Sequence, residues 1–327
     1  MTDRPLLGIL LMLGFCVIAP TGDGVAKLLG TRLPMAELVA ARFVLQALYL
    51  APLVWLWRLP LRYDRRMLGL MALRTALHMV GITAMFLALR VLPLADCIAI
   101  VFVMPFLLLL MGRLFLGEEV GPHRLAACAA GFAGTLLVVQ PNFAEVGAPA
   151  LLPLAVALSF ALFMLVTRRV ARQVDAVSMQ FLNGLMASAV LLPLLALFAA
   201  TGDAALAPVR PDDATVIWLA LLMGALGTGG HLLMTASLRY APAATLAPMQ
   251  YLEIPVATVV GFAMFRDLPN GPAAAGIAVT VAAGLYVILR ERRLARQSPT
   301  PPAPAPVPPG AAGPASPAPT TAAGPAP

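Results

Sequence analysis

The residues with chemistry to offer are the ionisable groups inside long apolar runs. At bilayer depth each costs about 2.5 to 3.5 kcal/mol on insertion scales, so each is expected to face a cavity, a partner or an interface. Glu253 is the sharpest signal, midway along one run, with Gln250 and Tyr251 before it and Pro255 after it. A carboxylate placed there is a candidate proton carrier or cation ligand; the plainer alternative is a neutral, hydrogen-bonded acid that serves helix packing. Asp23 and Lys27 lie one helical turn apart, just after Pro20, Gly22 and Gly24. A helix loosened there exposes backbone carbonyls and a carboxylate to a cavity, unless the two residues simply pair near the outer end of the helix. Arg42 and Arg74 cannot readily lose their charge. Glu37 is at the wrong spacing to pair with Arg42 along a helix, so a tertiary partner such as Asp23 or Asp96 is expected, as a salt bridge or beside a substrate carboxylate. Arg74 is expected to snorkel toward the inner interface. His78 and His231 occupy two further runs, where a half-buried, hydrogen-bonded imidazole is the ordinary outcome. His231 ranks first because GALGTGG precedes it, and such small residues admit close helix approach or an open cavity wall. Asp96 reads as a helix N-cap.

The elements that carry these groups are membrane spans. Of 327 residues, 61% are hydrophobic and 11% charged, against roughly 25% charged in soluble domains. Apolar runs are expected over 6–29, 35–57, 68–89, 94–116, 124–140, 149–167, 178–200, 213–237, 243–265 and 272–290, ten spans with short connections. Arg4 followed by an apolar run imitates a secretory signal, but the run continues to Leu29 and reads as a retained first span. The net charge of +7 comes from arginines at the ends of runs, which speaks for membrane orientation and against nucleic-acid binding. With the N-terminus in the cytoplasm, fifteen Lys/Arg fall inside and five outside, which puts both termini in the cytoplasm. Trp55, Trp57 and Tyr63 near one boundary and Trp218 near the other read as interfacial anchors. Cys16, Cys97 and Cys128 lie in apolar runs without metal-ligand or disulfide spacing, so neither metal nor cofactor is expected. From residue 297 the chain turns to Pro, Ala and Gly, the composition of a disordered cytoplasmic tail.

The chain also repeats itself. Leu89, Arg90, Pro93 and Ala95 recur 149 residues on as Leu238, Arg239, Pro242 and Ala244. Pro105, Phe115, Gly121, Pro122 and Gly134 then recur at an offset of 150 as Pro255, Phe265, Gly271, Pro272 and Gly284. Two five-span units follow, 1–145 and 146–296, and an odd number of spans per unit inverts the second in the membrane. The matched Pro105 and Pro255 are expected to kink mid-helix and turn carbonyls to the centre, as Pro20 does in the first span.

PTGDGVAKLLG, ALRVLPLADCIAIVFVMPF and LFLGEEVGPHRLAACAAGFAGTLLVV, with their echoes LRYAPAATLAPMQYLEIP and GPAAAGIAVTVAAG, resemble the EamA branch of the drug/metabolite transporter superfamily across residues 6–290. The resemblance implies an all-α membrane protein of ten helices in two inverted five-helix repeats, a central cavity, and ATP-independent movement of small organic molecules. One departure is FRDLPNG in the second unit where the first has LGEEVG, so that Asp267 stands in for the acidic loop residue.

The expected function is therefore that of a bacterial inner-membrane secondary transporter. Its substrate is expected to be amino-acid-like, zwitterionic or amphipathic, moved by alternating access, with export favoured and a coupled proton admitted. Uptake of a vitamin or nucleoside-like metabolite is the alternative. A membrane-embedded lipid-processing enzyme is the alternative of another class, but no HExxH, nucleophile elbow or Asp-rich loop is present.

Overall fold

The computed structural model describes residues 4–30, 32–91, 100–139, 151–201, 213–265 and 271–297, and among them every regular element is helical. The helices are α1 (Pro5–Gly30), α2 (Met35–Leu56), α3 (Arg65–Val91), α4 (Met104–Leu116), α5 (Pro122–Val139), α6 (Leu151–Val170), α7 (Ala176–Thr201) and α8 (Ala214–Tyr240). A broken segment follows, made of α9 (Ala243–Leu246), a 3₁₀ turn (Ala247–Leu252) and α10 (Glu253–Phe265), and α11 (Gly271–Gln297) closes the described chain. Eight segments among the described residues are long and apolar enough to cross a membrane, with Ala243–Met264 counted as one of them. This is a multi-pass membrane protein. Asp96, Cys97, Arg266, Asp267 and the tail after Gln297 lie outside the described residues.

The prolines act differently from the kinks expected of them. Pro105 lies in the first turn of α4, after a turn at Phe102 and Val103, and Pro255 is the third residue of α10, after the 3₁₀ turn. Proline lacks an N–H and is tolerated where a helix begins, so each marks the start of a new helix and not a bend within one. Pro248 adds a second lost donor in the ninth segment and helps hold it in 3₁₀ form. Pro20, by contrast, lies inside the continuous helix α1.

Four helix pairings are the most extensive: α1 with α8, α3 with α6, α2 with α7, and α5 with α11. Backbone proximity requires glycine at two of these seams. A Cβ at Gly184 would lie 2.9 Å from both Phe43 O and Ala47 N on α2, and one at Gly134 would run into Thr280 Oγ1 and lie 2.8 Å from Gly276 O on α11. The largest buried apolar cluster joins Ile9, Met12 and Cys16 of α1 with Phe163, Met234, Leu238 and the broken segment around Met249 and Tyr251. Trp55, Trp57 and Trp218 are exposed, as interfacial anchors are, Trp218 at 69%.

Candidate functional site

The polar side chains converge where α2, α3, α7 and α8 meet. Arg42 Nη2 and His231 Nε2 are 2.9 Å apart. The ring centroids of His231 and His78 are 4.6 Å apart. His78 is fully buried and His231 is 5% exposed. Aromatic rings enclose the pair: Phe43, Phe160 and Phe163 around His78, and Phe15 and Phe163 around His231. The expectation of half-buried histidines with ordinary partners gives way here to two touching, buried imidazoles on separate helices.

Arg74 does not snorkel. It is 1% exposed and donates from Nε to Thr167 Oγ1 at 2.7 Å, from Nη1 to Asn183 Oδ1 at 3.0 Å and from Nη2 to Thr235 Oγ1 at 3.4 Å, with its guanidinium 4.3 Å from the centroid of Phe163. Neutral oxygens and a ring face satisfy it in place of an interface. Gln180 extends the network by donating to His231 O at 3.0 Å and to Thr235 Oγ1, and Gln46 donates to Gln180 O at 2.6 Å. Asn183, Gln180, Gln46, Thr167 and Thr235 have no mark in the sequence that sets them apart, because uncharged polar residues scattered singly along apolar runs carry little signal. The i, i+3 spacing of Gln180 and Asn183, one face of a helix, was the available clue.

The orphaned atoms decide what this site can hold. Arg42 Nε, His78 Nε2, His231 Nδ1 and Gln250 Oε1 are buried without a hydrogen-bond partner among the described residues. Each such group costs about 1 to 3 kcal/mol unless something supplies the missing partner. Arginine only donates, so His231 Nε2 accepts from Arg42 and the imidazole proton sits on Nδ1. Asn183 Oδ1 accepts from Arg74, so its Nδ2 donates to His78 Nδ1 at 3.4 Å and the proton of His78 sits on Nε2. Both histidines therefore present an unsatisfied N–H.

The carboxylates lie beside this network. Asp23 is solvent-accessible although protein surrounds it, as a group lining a space inside a bundle would be, and it is in electrostatic reach of Arg42. Glu253, half-buried, interacts electrostatically with Asp23 and Cys16. The tertiary neighbour expected of Arg42 is thus Asp23, together with His231, whereas Asp96 is outside the described residues. Among the described residues Asp23 makes no hydrogen bond or ion pair, and Lys27 is exposed. Gln250 and Tyr251 point elsewhere. Gln250, 1% exposed, has its amide nitrogen 3.2 Å from Met164 Sδ, and Tyr251 donates to Phe102 O at 3.1 Å. That last bond ties the two helix breaks together, and it needs Gly131, where a Cβ would lie 2.5 Å from the Tyr251 ring.

One more polar device lies at an end of the bundle. Gly117, at φ +64°, ends α4 in the left-handed conformation that glycine tolerates, and the chain turns so that Glu118 points back into the protein. Its carboxylate accepts from the N–H groups of Ala243 at 3.0 Å and Ala244 at 2.8 Å, which caps the start of the ninth segment, and it lies 3.6 Å from Arg168 Nε. Arg168, counted from sequence as a loop cation, is buried and donates to Leu238 O at 2.7 Å.

The chain is similar to known proteins of one family. The model of the EamA-like transporter family matches the chain twice, over residues 6–140 and 148–290. The riboflavin transporter of Rhizobium johnstonii is 32% identical over 244 residues, 70% of this chain and 76% of its own. The S-adenosylmethionine uptake transporter of Rickettsia bellii is 25% identical over 281 residues, 85% of this chain and 91% of its own. A protein of known crystal structure superposes with a TM-score of 0.70 at 17% identity, over 89% of this chain and 98% of that one, which speaks for the fold alone.

Proposed function

The chain belongs to the EamA-like transporter family, and from that premise we propose that it is a secondary transporter that carries a small zwitterionic or amphipathic metabolite across the bacterial inner membrane by alternating access. The observation that carries the reading is the buried cluster of Arg42, His231 and His78, with Asp23 and Glu253 beside it, in a bundle that is otherwise apolar. Groups so costly to insert are retained at that depth for a ligand or an ion.

Ten spans in two inverted units, 1–145 and 146–296, remain the proposed architecture. The two family matches support it, and so do the breaks before Pro105 and Pro255 at corresponding positions. A two-fold exchange of units would swap the pairing α1–α8 with α3–α6 and map α2–α7 and α5–α11 each onto itself, which is the observed set of main pairings. The bias of arginine toward one side favours cytoplasmic termini. The Rickettsia relative is named for uptake, so uptake is the direction proposed in place of the export expected from sequence. Glu253 is the proposed proton or cation carrier. In proteoliposomes, Glu253→Gln is expected to abolish counterflow of a transported metabolite while leaving membrane expression intact; near-normal flux would remove Glu253 from the mechanism.

A further inference from the structure

Transport alone does not explain why two buried imidazoles should each present an N–H that no acceptor among the described residues satisfies. Arg42 and Asn183 fix the protons on His231 Nδ1 and His78 Nε2, and Arg42 Nε is a third buried donor without an acceptor. All three belong to one contiguous cluster, linked by the 2.9 Å contact of Arg42 with His231 and the 4.6 Å approach of the two rings. The cluster's charge is positive. Arg74 contributes a full charge that its partners Thr167, Asn183 and Thr235, all neutral, do not balance, and Asp23 acts electrostatically on Arg42 without bonding to it. A surplus of N–H donors, positive charge without a bonded counter-ion and a wall of aromatic rings are complementary to an anionic oxygen acid.

We propose that the His78–His231 pair, with Arg42, forms a receptor for a carboxylate of the transported substrate, so that this carrier selects metabolites bearing a carboxylate on or near an apolar or ring-containing body. The inference rests on the transport reading for its cargo but makes a separate claim, since it assigns the ligand's anionic group to the histidine side of the polar cluster and leaves Asp23 and Glu253 for a cationic group or a proton. Both histidine N–H groups and Arg42 Nε–H donate, and the carboxylate oxygens accept.

The test uses the full chain, purified in detergent, and matched ligand pairs that differ only in the acid: S-adenosylmethionine against its decarboxylated form, and phenylalanine against phenylalaninamide. Equilibrium binding is measured for wild type, His78→Phe and His231→Phe, which keep an aromatic ring and lose the N–H. For at least one pair, wild type is expected to bind the acid ten times more tightly or better, about what one charge-assisted hydrogen bond is worth. In either variant that preference should fall to less than threefold. If His231→Phe does not yield monodisperse protein, His78→Phe, which lies among Phe43, Phe160 and Phe163, carries the test alone. Equal binding of the acid and its carboxylate-free partner, an acid preference that survives in the variants, or no binding of any acid overturns the proposal. Counterflow of riboflavin or S-adenosylmethionine in proteoliposomes is scored separately. Flux without acid preference rejects the carboxylate receptor and spares the transport reading, whereas acid binding without flux of any compound does the reverse.

Discussion

Removing the Glu118 carboxylate is expected to unlatch one end of the bundle. In the structure Glu118 accepts two backbone N–H groups, from Ala243 and Ala244, and lies 3.6 Å from Arg168. Loss of an N-cap costs about 1 kcal/mol, and two hydrogen bonds to a charged acceptor are together worth about 3 to 6 kcal/mol. Glu118→Ala opens room for water to replace part of that, so about 3 kcal/mol is the expected loss, a shift of roughly a hundredfold in the balance between closed and open ends. Arg168 still donates to Leu238 O, so the fold itself should survive. Cys16 reports the opening. It is fully buried, 3.5 Å from Met249 O, two turns into the bundle from the seam where Gly8 meets Ala241. In a Cys97→Ser, Cys128→Ser background, maleimide labelling of Cys16 should accelerate by up to that factor in Glu118→Ala, because labelling follows the open population when reclosing is fast. Glu118→Gln keeps one acceptor oxygen and should fall between the two. Labelling within threefold of the parent, in protein that remains monodisperse, would refute the assignment of Glu118 as a latch.

Other expectations follow from single contacts. Gly134→Ala should lower stability by about 1 to 3 kcal/mol, read as a lower midpoint of thermal unfolding, because the new methyl meets the Gly276 carbonyl of α11 and cannot displace backbone. Gly131→Ala should disturb the Tyr251 ring, and Tyr251→Phe, which loses the hydrogen bond to Phe102 O, should weaken transport more than it weakens folding. Asp213 caps α8 through Thr215 N and pairs with Arg32 at 2.8 Å, and these contacts, the backbone bond first, hold its carboxyl below the usual carboxylate range. A depressed value means that the contribution is present at neutral pH and fades as pH falls through the folded-state value. The difference in thermal midpoint between wild type and Asp213→Asn should therefore shrink in strong acid and stay constant above about pH 5.

Span positions were legible in the sequence because hydropathy reports a property of each segment by itself: α1, α2, α7 and α8 begin and end within a few residues of their expected limits. The broken ninth segment was legible only as a proline. Whether a proline bends a helix or starts one depends on what its neighbours' carbonyls can bond, and Tyr251 reaching Phe102 across 149 positions is tertiary information. The same limit applied to charge. Asp23, Arg42, His78, His231 and Glu253 stood out because an apolar setting makes each one costly, but their grouping did not, since no pair among them shares a helix at i+4 spacing. A long cationic side chain in or beside an apolar run usually snorkels, which is the expectation for Arg74 and Arg168. What overrode that tendency was the set of oxygens that packing brought within reach, from Thr167, Asn183 and Thr235 for one and from Leu238 and Glu118 for the other.

The position of Arg74 links the site to the proposed motion. Its three hydrogen-bond acceptors, Thr167, Asn183 and Thr235, stand on α6, α7 and α8, all in residues 146–296, while Arg74 itself belongs to the first unit. If the units rock against each other, the guanidinium cannot keep all three bonds, and its charge must find other acceptors at the moment the cavity changes sides. A bound carboxylate beside His78 and His231 is such an acceptor. Substrate would then ease the one step that the empty protein pays most to make, and this is the behaviour of an exchanger, faster with cargo than without. Each acceptor, by contrast, keeps a partner when Arg74 is removed: Thr167 donates to Phe163 O, Asn183 accepts from Thr75, and Thr235 accepts from Gln180. Arg74→Met should therefore fold, lose its acceleration by substrate, and leave whatever slow empty return the bundle has, so that counterflow falls toward the rate of net flux. An Arg74→Met protein whose counterflow still exceeds its net flux as much as the wild type's does would show that the guanidinium plays no part in the change of sides.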